Sequence, residues 1–200
     1  MPATKGSVAS SGLYRYEFVV DRGGFTIVNI TYISQEASGS SWVFVPRFSD
    51  WTNNTVKGTI TDWSLRDSAN VTDSSFYFYE VFFYSFISDS VEFQLNIQYN
   101  ISTAAMIIEP DGIFFSPQIG FEPGNRFEAV VIFPQDFKVN QNEALVYGNT
   151  YSYNPSSFSS GRVFFDDISE TDNLLRIEIG FTTPEKEPDL VELTNGVFTF

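Results

Sequence analysis

From Val91 to Ile101 the chain alternates apolar and polar side chains without a slip, as Val-Glu-Phe-Gln-Leu-Asn-Ile-Gln-Tyr-Asn-Ile. Strict period-two alternation predicts a strand with one buried and one wet face, spanning ~36 Å at ~3.3 Å per residue. The segment before it, Phe76 to Ile87, is rich in apolar side chains on both alternating faces. Phe76, Phe78, Phe82, Tyr84 and Phe86 fall on one, and Tyr77, Tyr79, Val81, Phe83 and Ile87 on the other. Such a strand is expected at the centre of a sheet, covered above and below. Ser88-Asp89-Ser90 lies between the two segments, and its small polar residues predict a hairpin.

Similar patterns recur along the chain. Leu13 to Val20 and Phe25 to Ile33 read as strands joined by the turn Asp21-Arg22-Gly23-Gly24. Trp42 to Pro46 reads as a short strand that its proline ends or places at an edge. A strand over Thr55 to Ile60 is flanked by two near-duplicates, Ser49-Asp50-Trp51-Thr52-Asn53 and Thr61-Asp62-Trp63-Ser64-Leu65. Phe127 to Phe133 is a buried strand, and Arg162 to Phe165 and Leu174 to Thr182 are strands around the acidic turn Asp166 to Asn173. No window has the spacing of an amphipathic helix. The expected fold is all-β: a two-sheet antiparallel β-sandwich, jelly-roll or saddle-like, with about a dozen strands and little or no helix. Residues 1–11 read as a flexible leader and 12–200 as a single domain. Val197-Phe198-Thr199-Phe200 still alternates at the last residue, which points to a domain cut from a longer chain at 200.

Composition sharpens this in three ways. Aromatic residues make up 18% of the chain, with 22 Phe and 10 Tyr, and favour a pleated, half-buried surface. There is no His and no Cys, which removes imidazole-based acid–base chemistry, the Ser-His-Asp triad, thiol nucleophiles and the HExxH zinc helix. The reading is therefore not an enzyme. The net charge of −14 repels phosphate backbones and anionic lipid, so neither nucleic acid nor a membrane surface is an expected partner. No apolar run is long enough for a membrane-inserted helix in this segment.

Several side-chain groups are candidates for sites. Asn29, Asn53, Asn70 and Asn100 each begin an Asn-X-Ser/Thr sequon, which fits an extracellular or cell-surface location. Asn53 and Asn70 are expected in loops, Asn100 on the wet face of its strand, and Asn29 within a strand. Asp166, Asp167, Glu170 and Asp172 place four carboxylates in seven residues, either a structural calcium site or a solvated turn. No other cofactor is expected. Trp51 and Trp63 are candidates for a sugar-binding platform, with the cap of a sandwich core as the competing reading. Glycosidase chemistry needs only two carboxylates, and Glu17, Glu80 and Glu128 fall inside strands. Glu80 shares a face with Phe78 and Phe82, and either faces solvent at the sheet edge or pairs with Arg15.

The segments Phe114-Phe115-Ser116-Pro117-Gln118-Ile119-Gly120-Phe121, Val131-Ile132-Phe133-Pro134 and Asn173 to Phe181 carry a resemblance. They are similar to the non-catalytic N-terminal β-domain of secreted, archaeal-type gluzincin metallopeptidases of the aminopeptidase N kind. Asn195 to Phe200 resembles the junction at which such domains hand over to the catalytic one. The family's HExxH, downstream zinc Glu and Gly-x-Met-x-Asn motif are absent, so no zinc ligand or catalytic residue carries over. The resemblance implies an accessory domain whose partner is the neighbouring domain of the same longer chain, or another protein. Two alternatives stand beside it: a carbohydrate-binding module using Trp51 and Trp63, and a surface-layer, adhesin or capsid-like structural subunit.

Overall fold

The computed structural model describes residues 12–67, 78–88, 92–121, 124–148, 150–168 and 174–184. Alternation in the sequence becomes alternation in burial. β1 (Gly12–Val20) buries Tyr14, Tyr16, Phe18 and Val20, and β2 (Thr26–Ser34) buries Val28, Ile30 and Tyr32. They form the expected hairpin. The Asp21 carboxylate accepts the amides of Gly23 at 2.8 Å and Phe25 at 2.9 Å, and Gly24 supplies a φ of 86° that L side chains rarely adopt.

The remaining strands are β3 (Ser38–Pro46), β4 (Trp51–Lys57), β5 (Thr59–Asp67), β6 (Tyr79–Ile87), β7 (Phe93–Ile101), β8 (Ala105–Ile108) and β9 (Asp111–Phe115). They continue with β10 (Ile119–Gly120), β11 (Arg126–Ile132), β12 (Lys138–Tyr147), β13 (Ser152–Tyr153), β14 (Ser157–Ser159), β15 (Arg162–Ile168) and β16 (Leu174–Thr182). The described residues contain no helix.

The all-β expectation holds, but not its two-sheet form. Sixteen strands make three sheets. The largest has seven strands in the order β14-β15-β11-β1-β2-β7-β4, with β1 and β11 parallel. A three-stranded sheet, β3-β6-β5, and a six-stranded one, β13-β12-β16-β9-β8 with β10 beside β16, lie against it. Each of the two smaller sheets covers part of the large one. They meet where Val43 and Phe121 form a single bridge, and where a Cβ on Gly120 would come within 2.3 Å of the Phe44 ring.

The central hairpin expected over Phe76 to Ile101 is also overturned. β6 pairs with β3 and β5, whereas β7 pairs with β2 and β4, so the two segments face each other from different sheets. Their alternation is as read: β7 buries Phe93, Leu95, Ile97 and Tyr99, and β6 buries Phe82, Tyr84 and Phe86. Ring packing won over local turn chemistry, since Phe86 stacks on Phe93 with centroids 4.1 Å apart. β6 is central in its sheet, yet among the described residues no second layer covers its outer face, where the Arg66 guanidinium lies 4.7 Å from the Phe83 ring.

The aromatic interface contains one polar hub. The Tyr14 hydroxyl donates to the Trp42 carbonyl at 2.8 Å and lies 2.8 Å from the Ser41 hydroxyl and 3.0 Å from that of Tyr84. A carbonyl only accepts, so the Tyr14 proton goes to Trp42, while the Ser41 and Tyr84 hydroxyls are hydrogen-bonded around the same oxygen. Two residues along the same strand face, the buried Tyr16 hydroxyl has no partner among the described residues. Opposite outcomes follow for one chemical change. Tyr14→Phe leaves buried donors unmet and is expected to cost ~1–3 kcal/mol in urea unfolding, whereas Tyr16→Phe is expected to be neutral or stabilising.

Burial raises the phenol pKa of Tyr16, Tyr84 and Tyr99 above the ordinary 10.0. Above pH 10 the unfolded chain therefore sheds protons that the folded one keeps, and stability falls as pH rises. An alkaline titration is expected to show a cooperative step in which the tyrosinate absorbance of these three buried phenols appears together with loss of the β-sheet circular dichroism signal.

Candidate binding clefts

β4 and β5 follow one another in sequence, yet each is the edge strand of a different sheet. The chain crosses between the sheets at Gly58, whose φ is 80° and where a Cβ would come within 2.6 Å of the Ile87 carbonyl oxygen. Only glycine fits both demands. A bulge lies on each side of it. Pairing with β7 slips between Thr55 and Lys57, and pairing with β6 slips between Ile60 and Asp62. Unbroken alternation would send Ile60 and Trp63 to opposite faces. The extra residue, Thr61, brings both to the inner face, opposite Phe86 and Tyr84.

The two edges enclose a cleft of about 570 Å³. Trp51, Asn53 and Thr55 line it from β4, Thr59, Ile60, Trp63 and Leu65 from β5, and buried Phe82 from β6. The Phe82 ring centroid is 5.0 Å from that of Trp51 and 6.1 Å from that of Trp63. Trp51 is half-buried against the core, while Trp63 is 60% exposed. The near-duplicate Asp-Trp segments thus meet in one cleft. The single strand read between them is two strands broken at Gly58, and Asn53, expected in a loop, lies in β4 because it pairs with Ile97.

A second groove, of about 330 Å³, runs between Pro46, Phe48, Phe78, Tyr99 and Ile101. Phe48 and Phe78 are 64% and 58% exposed, and their rings meet edge to face with centroids 6.2 Å apart. Nearby, Arg47 pairs with Asp67 at 2.7 Å and reaches Glu80 at 4.0 Å. Glu80 therefore faces Arg47, not Arg15, because β6 and β3 lie in a different sheet from β1.

The outer face of the seven-stranded sheet is polar. Arg15 donates to Glu128 at 2.8 Å, Asn29 donates to Glu17 at 3.0 Å, and Gln98 donates to Asn29 at 2.7 Å. Glu17 and Glu128 line a shallow recess there of about 320 Å³. The three carboxylates singled out for glycosidase chemistry are thus each held by a donor or cation, and Glu80 sits apart from the other two.

The acidic turn begins later than expected. Asp166 and Asp167 belong to β15, which runs on to Ile168 opposite β11, and Asp166 accepts a hydrogen bond from the Ser156 hydroxyl at 2.9 Å. The Asp167 side chain, Glu170 and Asp172 lie outside the described residues, as does Asn70. Among the described residues no group of three or more acidic side chains could hold a metal ion. Asn100 is exposed on β7, and Asn29 is half-buried and hydrogen-bonded on β2. The sequence carried no sign that Asn53, Thr55 and Phe82 join the two tryptophans, because two bulges set that grouping.

No family model and no curated protein matches the chain. Among solved structures, it is similar over 87% of its length to an M1 zinc metallopeptidase from Deinococcus radiodurans bound to a Tyr-Ser-Ala substrate, with 9% identity and a TM-score of 0.36. The chain spans 42% of that protein's length. It is also similar, over 91% of its length and 82% of the other's, to the Fcho1 Mu homology domain of Danio rerio with a bound Eps15 peptide, with 9% identity and a TM-score of 0.20.

Gly58→Ala is expected to destabilise the domain by roughly 1–3 kcal/mol, because it strains the crossing and forces the two edge strands to shift. Urea unfolding measures that loss, and unchanged stability would show that the crossing does not depend on glycine.

Proposed function

We propose that this chain is a non-catalytic interaction domain of a secreted or cell-surface protein, and that it packs against a neighbouring domain of the same longer chain. The exposed Phe48–Phe78 pair is the observation that carries this reading. Large aromatic side chains left more than half exposed at the rim of a groove are the usual anchors of a protein interface. Covering the exposed part of both rings is worth roughly 2–3 kcal/mol. The Arg47–Asp67 ion pair beside them supplies a polar rim. Exposed Asn100, which opens a sequon, fits an extracellular setting.

The test begins with the source gene, to establish whether a further domain is encoded in the same reading frame. Produced separately and mixed, the two domains are expected to form a complex in calorimetry. Phe48→Ser together with Phe78→Ser should weaken it at least tenfold and leave melting unchanged. A complex indifferent to both substitutions would sink the docking reading, as would no complex at all. Concentration-dependent self-assembly in its place would favour a structural subunit joined through its free edge strands.

A further inference from the structure

We infer that the cleft between β4 and β5 is a binding site for neutral carbohydrate, with Trp63 and Trp51 stacking on sugar rings and Asn53, Thr55 and Thr59 meeting their hydroxyls. It lies apart from the Phe48–Phe78 groove and does not depend on the docking reading.

The lining is the first ground. A pyranose ring has flat C–H faces and a girdle of hydroxyls, so it needs aromatic faces together with groups that both donate and accept. The cleft offers both. One indole stands on each edge strand with Phe82 between them, and Asn53, Thr55 and Thr59 supply an amide and two hydroxyls. Asn amides and Thr hydroxyls each donate and accept, as sugar hydroxyls require. The volume of about 570 Å³ falls within the roughly 300–1,000 Å³ of ordinary ligand sites.

Charge is the second ground. The chain carries a net charge of −14, yet none of the residues lining this cleft is charged. An anionic ligand would meet the repulsion of the whole molecule and find no Lys or Arg to neutralise it. A cation would find no carboxylate in the lining. A neutral, amphipathic ligand is what an uncharged cleft with aromatic walls selects.

Construction is the third. Trp63 is 60% exposed, although a one-residue change of register would aim it at the opposite face. The bulges at Val56 and Thr61, with Gly58 between them, hold the two inner faces toward one space. Bulges gather beside functional sites because they re-aim side chains in this way.

The probes are cellohexaose, mannohexaose, xylohexaose and chitohexaose, titrated into the full chain made in a host that adds no glycans. At least one is expected to give a saturable shift of tryptophan emission, confirmed by calorimetry, while polygalacturonate gives none. Trp51 also packs on the core, so the diagnostic variants are Trp63→Ala and Asn53→Ala. Each should weaken binding at least tenfold without moving the melting temperature. The inference is overturned if none of the four sugars shifts the emission, or if binding survives Trp63→Ala. A proline-rich peptide that saturates the cleft when the sugars do not would also overturn it, making this a peptide groove.

Discussion

The Tyr14 hydroxyl is the point on which the arrangement of the sheets turns. It lies in β1 of the seven-stranded sheet and reaches Ser41 and the Trp42 carbonyl on β3 and Tyr84 on β6. Asn125 extends the network, donating to the Ser41 hydroxyl and accepting the Gly12 amide. Apolar rings can slide past one another at small cost, but buried hydroxyls cannot leave their partners without a penalty. A buried cluster of hydroxyls shared by β1, β3 and β6 therefore sets how the three-stranded sheet sits on the large one. The surrounding rings, such as Tyr32 at 4.6 Å from Tyr14, supply the burial, and the hub supplies the alignment.

The division of the covering layer has consequences for function. Each small sheet must end somewhere over the large one, and every end leaves an edge or a gap. The cleft between β4 and β5 is one such gap, where two edge strands joined by a single glycine line one space without pairing. The Phe48–Phe78 groove is another, between the residues that follow β3 and those that precede β6, and it borders on the end of β7. Both binding candidates thus arise where the layers fail to close, not on the continuous face of a sheet.

That continuous outer face is of a different kind. Gln98, Asn29 and Glu17 form a chain of side-chain hydrogen bonds across three strands, and Arg15 holds Glu128 beside them. Polar groups that satisfy one another in this way keep an aromatic-rich domain in solution, and they leave the apolar contacts to the ends.

The sequence alone determined the class of fold and the faces of the strands, because a period of two is a local property of a pleated backbone. β1 and β2 buried the expected residues, and Asp21 to Gly24 turned as read. Phe82, Tyr84 and Phe86 went inward together as their spacing requires. Strand partners and the number of sheets were decided only in the tertiary structure. The turn-like Ser88 to Ser90 lies in sequence between two strands that pair with other partners and meet across the layers, with Phe86 stacked on Phe93. The cleft was decided there too. Bulges at Val56 and Thr61 exist only relative to β7 and β6, so no local pattern could reveal that Trp51 and Trp63, twelve residues apart, face the same space.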